Sequence, residues 1–305
     1  RLLIKTAQKS HFGDCWKPWQ LSVRISDAQG NPIPDLVVSA LRQLPGTPAP
    51  TPQPTATPQP TPGAGLVALT RYPYLQNSSQ TTMTVIWRTN VAGEGCVDYG
   101  PTPSYGTTLC DQDGGAEHVV QMGNLTPGTT YYYRVRTNGV VLHQGKTFRT
   151  HRSEQSGAFT FAVLGDSGCG CPDQQAVARL LKGLNPQFIL HTGDVVYPNG
   201  QAANYDPNFF APYRDILDTS VIFPVLGNHD VETDNGAPFL EAFFLPANNP
   251  ARSERYYSFD YGNAHFIALD SNQDTSAGSP QYTWLEQDLA ATTKKWKFVF
   301  MHHQP

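Results

Sequence analysis

Four short apolar runs in this chain are each followed at once by polar side chains that could do chemistry. The runs cover residues 159–164, 188–190, 221–226 and 297–301, and the polar residues that follow them are Asp166, Asp194, Asn228, His229, Asp230 and His302. Runs of this length and composition predict buried strands. Because open α/β sheets bind ligands at the carboxyl ends of their strands, we expect these side chains to meet at one sheet edge.

Carboxylate, carboxamide and imidazole groups form a recognisable set of metal ligands. Together they favour a hard-to-borderline ion such as iron, zinc or manganese over copper(I). A single Gly-Asp pair after a strand is usually an ordinary turn. Here four such segments follow one another, in an order that β-α-β connections can bring side by side, so we favour a metal site over four unrelated turns.

Composition excludes several classes of function. The chain has 305 residues, enough for two or three domains, and its net charge of -4 with 15% charged residues argues against a nucleic-acid partner. No apolar run approaches the roughly 18 residues of a membrane span. The sequence opens at Arg1 without a leader and stops at Pro305 directly after a predicted strand, so we expect a truncation there.

Five cysteines bear on the redox environment. Cys96 and Cys110 lie at equal distances from Pro103 in a turn-rich stretch, so a hairpin centred there would place them opposite one another, and we favour a disulfide between them. Cys15, Cys169 and Cys171 remain, of which one must stay free or pair outside this sequence. A disulfide implies an oxidising compartment, and we expect an extracellular protein, secreted or held at the cell surface.

The first 65 residues divide into a β segment and a linker. Residues 1–44 contain two strand-like runs, Gln20–Ser26 and Leu36–Leu41, and resemble part of a bacterial immunoglobulin-like repeat. Two strands alone are marginal in water, so we expect them to pair with strands outside this segment, in this chain or another. Residues 45–65 are rich in Pro and Thr, which predicts an extended, semi-rigid linker.

Residues 66–150 read as an all-β sandwich. Met83, Val85 and Trp87 alternate as in a half-buried strand, and further strand-like runs separated by turn signals lie at 119–122, 130–136, 140–143 and 147–150. The stretch Leu125–Val135 resembles the fibronectin type III signature, in which a tyrosine closes the corner between two strands. Residues 155–305 then alternate strands with helices, which predicts an α/β domain with one helix from Pro172 and another after Ser279.

The segments Gly165–Gly168, Gly193–Tyr197, Gly227–Asp230 and Val299–His302 resemble the first four motifs of the calcineurin-like metallophosphoesterases. The resemblance covers roughly residues 66–305, because purple acid phosphatases carry a fibronectin-like module in front. Most of the superfamily has a histidine where this chain has Gly168, and the purple branch supplies a tyrosinate at the position of Tyr197. The resemblance implies a fibronectin III-like sandwich followed by an αββα metallophosphoesterase sandwich.

The resemblance also implies a binuclear metal centre. Asp166 and Tyr197 would bind iron(III), Asp194 would bridge the two ions, and Asn228 and His302 would bind a divalent zinc, iron or manganese ion. Two bridged ions activate a water for in-line attack on a phosphate ester. The substrate implied is therefore a phosphate ester.

Two residues outside the ligand set would complete the chemistry. The resemblance implies that His229 faces the phosphate and helps the leaving oxygen, and that Asp230 orients the His229 ring. We interpret His191 and His265 as packed core histidines, and His303 remains an alternative to His302. Cys169 and Cys171 depart from the family pattern and could pair with each other, pair with Cys15 or contact a softer metal.

The fifth motif of the family, Gly-His-x-His, has no counterpart after His303. Each metal would then lack one imidazole, so we expect an open side at the site and an unpaired, buried strand edge near residue 300.

Two functions follow as hypotheses. The first is a secreted or surface-tethered metallophosphoesterase of the acid phosphatase type. The second is a structural surface or filament protein that uses a phosphatase-like domain as a building block and self-assembles through residues 1–44.

Overall fold

The computed structural model describes residues 66–153 and 158–303, together with 2–7 and 20–25 as strands. The predicted strand Leu36–Leu41, the Pro/Thr-rich linker and Cys15 lie outside the described residues. Within the described ranges, no helix is long and apolar enough to cross a bilayer.

The described strands fall into an N-terminal pair, a β-sandwich and an α/β unit. The pair is β1 (Leu2–Ala7) and β2 (Gln20–Ile25). The sandwich strands are β3 (Leu69–Gln76), β4 (Met83–Thr89), β5 (Gly95–Gly100), β6 (Thr107–Cys110), β7 (Glu117–Met122), β8 (Thr130–Thr137) and β9 (Val140–Arg149). The α/β strands are β10 (Ala162–Leu164), β11 (Phe188–His191), β12 (Val221–Pro224), β13 (Tyr257–Tyr261), β14 (Ala264–Ala268) and β15 (Trp296–Phe300).

The helices of the described residues lie in the α/β unit. They are α1 (Pro172–Leu184), α2 (Ala202–Tyr205), α3 (Ala211–Leu217), α4 (Asn228–Val231), α5 (Ala237–Ala242) and α6 (Pro280–Ala291). A π-turn at Asp206–Phe210 joins α2 to α3, and a 3₁₀ turn at Asp234–Gly236 precedes α5. Both long helices begin at a proline in the first turn, as the sequence predicts.

The sandwich consists of the sheets β3-β4-β7 and β6-β5-β8-β9. One prediction here is wrong: the runs at 140–143 and 147–150 form a single strand. Gly145 takes a positive φ of 70°, and the pairing of β9 with β8 slips by one residue beside it. The glycine read as a turn therefore makes a β-bulge, which bends the strand without ending it.

Two features of the sandwich match the sequence. Cys96 and Cys110 face each other across the β5–β6 ladder and form a disulfide. The Tyr131 hydroxyl accepts a hydrogen bond from the Thr126 backbone N–H at 2.9 Å, which closes the corner before β8.

The α/β unit is built on two sheets packed face to face. The parallel sheet is β10-β11-β12, and the second sheet has the order β13-β14-β15-β1-β2. A layer of phenylalanines fills the space between them: Phe188 contacts Phe266 with ring centroids 5.2 Å apart, and Phe223 stacks on Phe259 at 3.8 Å. These aromatic contacts add specific geometry to the apolar burial that joins the sheets.

Helices cover the outer faces. Helix α1 buries Ala178 and Leu181 beside the parallel sheet, and α6 buries Trp284 against a separate cluster that includes Ile267. Along β14, Phe266 points into the space between the sheets while its neighbour Ile267 faces α6, as the two-residue period of a strand requires. The layers are therefore helix, sheet, sheet, helix.

The expectation that all four polar segments meet at the edge of one sheet is wrong. Strand β15, which precedes His302, pairs with β14 in the second sheet and not with β12. The β13–β14 hairpin supplies β15 with a parallel neighbour, so the His302 side chain reaches the other three segments across the two layers.

The expected unpaired edge near residue 300 is also not found. Strand β1 runs parallel to β15, with Leu3 opposite Val299, and β2 pairs antiparallel with β1. The expectation that residues 1–44 pair with strands outside their own segment is thereby met within this chain. Of that segment the structure describes only these two strands.

The sandwich and the α/β unit share one continuous apolar core. Polar side chains of the sandwich reach backbone carbonyls across the boundary: Tyr74 donates to Ala242 at 2.9 Å, and Tyr133 donates to Asp218 at 2.7 Å. The sandwich is therefore packed directly against the unit that carries the candidate site.

Candidate metal centre

The four polar segments follow strands that end on the same side of the α/β unit. Asp166 follows β10, Asp194 follows β11, Asn228 follows β12 and His302 follows β15. Both aspartates have left-handed backbones, with φ of 51° for Asp166 and 52° for Asp194. Non-glycine residues in this region carry strain that the surrounding structure must hold, and such strain concentrates at functional sites.

Tyr197 joins the two aspartates. Its hydroxyl lies 3.2 Å from Asp166 Oδ1 and 3.0 Å from Asp194 Oδ2. One ligand atom from each of Asp166, Asp194 and His302 lies within 4.8 Å of the others, which is the spacing of a metal-binding cluster.

A backbone carbonyl fixes the orientation of the His302 ring. Its Nδ1–H donates to the Thr192 carbonyl at 2.9 Å, so in the neutral form of the ring Nε2 is the nitrogen that carries no proton. This Nε2 lies 3.0 Å from Asn228 Oδ1 and 3.5 Å from Asp194 Oδ1. Three acceptor atoms therefore face one another, an arrangement that a cation between them would satisfy.

The electrostatics support the same interpretation. Burial, followed by the charge of Asp194, raises the pKa of Asp166 to about 7. Burial also raises the pKa of Tyr197 well above its ordinary value, and the charges of both aspartates add to this. Buried acceptors that repel one another fit a bound cation, because its charge reverses both effects. The residues present therefore suit a metal centre.

Gly168 is required by the contact between two of these loops. A Cβ atom at this position would lie 1.8 Å from the Val195 carbonyl oxygen. The Gly168 carbonyl also accepts a hydrogen bond from the Tyr197 backbone N–H at 2.9 Å. The backbone of the Tyr197 segment thus occupies the place that a side chain at residue 168 would need.

The prediction that Asp230 orients the His229 ring is wrong. In the described part of the chain, the fully buried Asp230 carboxylate receives its hydrogen bonds from backbone N–H groups: Gly227 at 2.8 Å, Val195 at 3.0 Å and Val196 at 3.3 Å. Asp230 is the third residue of α4, and its bond to Gly227 is the carboxylate half of a capping box. The hydrogen bonds that Asp230 accepts therefore fix the backbone of two loops.

His229 is oriented by other groups. Its Nδ1 hydrogen-bonds to the Pro198 carbonyl and lies 3.5 Å from Glu232 Oε1. Its Nε2 lies 4.0 Å from Asp194 Oδ2, and its ring centroid is 4.8 Å from that of Tyr197. The ring thus sits beside the candidate metal ligands with Nε2 turned toward them.

Three further histidines, His191, His265 and His303, lie outside the ligand set. His191 is fully buried and hydrogen-bonds to Ser167 Oγ at 2.9 Å, and burial lowers its pKa to about 3. His265 is buried between Asp260 and Asp288. His303 contacts Ser271, so His302 is the imidazole at the site.

Sequence reasoning missed the backbone groups of the site. The Thr192 and Pro198 carbonyls fix the two imidazoles, and the His229 backbone N–H donates to Asp194 Oδ1 at 3.0 Å. Main-chain groups are the same in every residue type, so no side-chain pattern marks them.

Two family models match consecutive parts of this architecture. Residues 71–151 match the purple acid phosphatase N-terminal domain, and residues 159–305 match the calcineurin-like phosphoesterases. The second match defines the general class, a phosphoesterase with a two-sheet α/β core. The two matches together show that the chain is a purple acid phosphatase-like member of the calcineurin-like phosphoesterases.

Curated relatives agree with these matches. Purple acid phosphatase 21 of Arabidopsis thaliana is 30% identical over 213 residues, covering 67% of this chain and 46% of the relative. Probable inactive purple acid phosphatase 9 of the same plant is 26% identical over 248 residues, covering 65% of this chain and 38% of the relative. The chain spans about a third to a half of the length of the curated relatives it matches.

Among solved structures, a purple acid phosphatase from yellow lupin seeds (Lupinus luteus) has a TM-score of 0.66 at 22% identity. The match covers 77% of this chain and 51% of that one. This likeness shows the shared fold.

Proposed function

We propose that this chain carries the binuclear site of a phosphoesterase of the acid phosphatase type. The observation that carries the proposal is the convergence of ligand groups from four loops, which are Asp166, Asp194, Tyr197, Asn228 and His302. The family generally uses a binuclear metal centre, and this donor set suits iron(III) with a divalent zinc, iron or manganese ion. The substrate proposed is a phosphate ester.

The chain's own residues divide the work. Asp166 and Tyr197 would hold one ion, Asn228 and His302 the other, and Asp194, with oxygens directed at Tyr197 and at His302, would bridge them. Bound there, the ions would supply the Lewis acidity that activates water and neutralises the phosphoryl oxygens.

His229 supplies the proton chemistry in this proposal. Its Nδ1 is fixed by the Pro198 carbonyl, so Nε2 faces the site and can hold the proton that the leaving oxygen takes up. The acceptor at Nδ1 is a neutral carbonyl, which fixes the ring orientation without a buried carboxylate partner.

We also propose an extracellular location. It is supported by disulfides Cys96–Cys110 and Cys169–Cys171, since disulfides persist in oxidising compartments. The Pro/Thr-rich residues 45–65 support a secreted or surface-tethered protein in which the linker acts as a spacer. Self-assembly through residues 1–44 remains a hypothesis, and β1 already has a partner, β15, within this chain.

The site supports an active enzyme, although three of the matched relatives carry "probable inactive" in their names. Elemental analysis of the full-length protein, combined with hydrolysis of an aryl phosphate across pH, tests this. We expect about two metal ions per chain and metal-dependent turnover. A protein that binds metal without hydrolysing any ester would favour the structural alternative.

Tyr197→Phe tests the iron assignment directly. A phenolate bound to iron(III) gives the iron-loaded protein a visible charge-transfer band, and the variant should lose this band while keeping its fold. Tyr99→Phe is the control, because Tyr99 is a half-buried tyrosine in β5 of the sandwich, outside the loops that carry the ligand set. Absorption spectra of the three iron-loaded proteins provide the measurement, and a colourless wild type would rule out tyrosinate ligation.

A further inference from the structure

A second disulfide, which closes a very short loop, lies between Asp166 and α1. Cys169 and Cys171 are bonded at a sequence separation of 2, whereas Cys96 and Cys110 are separated by 14. Cys169 is exposed and Cys96 is buried, whereas Cys171 and Cys110 are both half-buried. The two disulfides of the described chain therefore differ in both loop size and access.

The short disulfide contributes little to the fold. The entropic effect of a disulfide grows with the loop that it closes, so the Cys169–Cys171 bond restricts the unfolded chain far less than Cys96–Cys110 does. A bond at this place needs another explanation than stability.

The surroundings of Cys169 and Cys171 favour thiol–disulfide exchange. Cys169 is an exposed residue, so an attacking thiolate can approach it from solvent. Cys171 is the N-cap residue of the 13-residue helix α1, and its N–H donates to the Cys169 sulfur at 3.3 Å. The positive end of the helix stabilises a thiolate, which makes Cys171 a good leaving group.

The loop of this disulfide is tied to Tyr197 by two routes. Directly, the Gly168 carbonyl accepts from the Tyr197 N–H at 2.9 Å. Indirectly, the Gly170 N–H donates to Gln174 Oε1 at 2.8 Å, Gln174 Nε2 donates to the Asn208 carbonyl, and Asn208 Nδ2 donates to the Tyr197 carbonyl at 3.1 Å. Both backbone polar groups of Tyr197 are thus linked to this loop and the start of α1, and the carbonyl has a second donor in Asn204 Nδ2 at 3.4 Å.

We propose that Cys169–Cys171 is a thiol–disulfide exchange site whose redox state sets the position of Tyr197. A thiolate of a dithiol reductant attacks the Cys169 sulfur, the Cys169–Cys171 bond breaks, and Cys171 leaves as a thiolate. The second thiol of the reductant, after losing its proton, attacks the mixed disulfide and releases Cys169. The reductant ends as a disulfide, two electrons pass to the protein, and both protein thiolates can take up the released protons.

Reduction removes the covalent link across Gly170 and frees the loop that carries both routes to Tyr197. We expect the Tyr197 backbone to become more mobile and its hydroxyl to hold Asp166 and Asp194 less well. The resulting change in phosphate ester turnover rests on the proposed function, whereas the exchange reaction does not.

The experiment treats the full-length chain with dithiothreitol and follows each cysteine by timed alkylation and mass spectrometry. Cys169 and Cys171 should become alkylated at least about tenfold faster than Cys96 and Cys110. Hydrogen exchange at the Tyr197 amide should accelerate at least about tenfold on reduction. The Cys169→Ser/Cys171→Ser variant should show the fast exchange without reductant and should not respond to it.

The matched control is Cys96→Ser/Cys110→Ser, in which hydrogen exchange at the Tyr197 amide should still accelerate on addition of dithiothreitol. Equal alkylation rates for both disulfides would overturn the proposal, and so would unchanged Tyr197 exchange in the reduced wild type or a bond from either cysteine to Cys15. If reduction accelerates hydrogen exchange at Tyr197 but neither the oxidised nor the reduced protein hydrolyses an ester, the redox site stands and the proposed phosphoesterase function fails. If the protein hydrolyses an ester but reduction leaves hydrogen exchange at Tyr197 unchanged, the phosphoesterase function stands and the redox proposal fails.

Discussion

At the scale of single residues, the two central loops hold each other through reciprocal carboxylate contacts. Asp194, from the loop after β11, accepts the His229 N–H of the loop after β12. Asp230, from the second loop, accepts the N–H groups of Val195 and Val196 in the first. Each aspartate thereby fixes the backbone that positions candidate metal ligands on the other loop.

Asp230→Asn tests this arrangement. The amide has one acceptor oxygen in place of two, and its NH₂ group would face backbone donors, so we expect a loss of about 1–3 kcal/mol in the free energy of unfolding. The affinity for Zn²⁺ or Mn²⁺ should fall about 10- to 100-fold, since supporting residues of metal sites have effects of that size. Calorimetric metal titration and thermal unfolding measure the two effects.

Asp274→Asn is the control, because Asp274 is an exposed carboxylate outside the site. It should change stability by less than about 0.5 kcal/mol. Unaltered metal affinity in Asp230→Asn would contradict a positioning role for Asp230.

His265 should make the folded protein lose stability as the pH becomes alkaline. Burial alone would lower the pKa of His265, but hydrogen bonds to Asp260 and Asp288 raise it to about 9. Two lysines bring positive charge to this cluster: Lys294, 3.6 Å from Asp260, and Lys297, the register partner of His265 in β15. Because the folded pKa lies above the unfolded value of about 6.5, the stabilisation is complete below pH 6.5 and is lost as pH rises through 9.

We expect His265→Gln to be less stable than the wild type by about 1–3 kcal/mol near pH 6, with the difference shrinking above pH 9. Urea unfolding at several pH values measures this. His303→Gln is a control with the same substitution at an exposed ring. A difference that stays constant between pH 6 and 10 would show that His265 is not charged in the folded protein.

The residue scale also shows what the sequence can and cannot give. Asp166, Asp194 and Asn228 could be expected to approach one another because parallel strands end on one side. The choice between His302 and His303 could not be made, because adjacent residues share the same strand signal. It depends on the Thr192 carbonyl, whose position is set by the fold.

At the scale of elements, α1 contains a glycine that serves no visible packing role. Gly183 lies in the last turn of the helix, and a Cβ atom there would meet nothing within 4 Å. We expect Gly183→Ala to stabilise the protein by about 0.5–1 kcal/mol, because alanine loses less backbone entropy in a helix. Gly168→Ala is the opposite control, since its Cβ would lie 1.8 Å from the Val195 carbonyl. Denaturant unfolding of both variants gives the comparison, and a destabilised Gly183→Ala would contradict the helix argument.

Most elements near the site could be predicted from local pattern, but their neighbours could not. Helix α1 begins at Pro172, as the proline predicts, and ends at Leu184. The pairing of β15 with β14 and β1 had no such signal, because strand partners are chosen by long-range packing. The bulge at Gly145 was hidden for a related reason: glycine marks turns and bulges alike.

At the scale of the whole molecule, the sandwich and the α/β unit share one apolar core. Their shared core and the buried hydrogen bonds of Tyr74 and Tyr133 to carbonyls of the α/β unit predict that neither part loosens alone. We therefore expect the sandwich and the α/β unit to unfold together.

Arg71 provides the test of this coupling. It projects from β3 with 3% exposure, its Nε lies 2.5 Å from Asp206 Oδ1, and its guanidinium lies 3.9 Å from the ring centroid of Phe210. Asp206→Ala should leave a buried cation without its carboxylate and destabilise the protein by about 1–3 kcal/mol. The loss should be smaller than for a fully buried pair, because the Asp206 side chain is 44% exposed.

Arg71→Met retains most of the apolar volume, so the double variant should be more stable than the sum of the single changes predicts, by at least about 0.5 kcal/mol. Scanning calorimetry of the four proteins measures this coupling and counts transitions. Additive effects would show that the Arg71–Asp206 pair does not couple the two parts, and a separate transition for the sandwich in the wild type would show that the parts unfold independently.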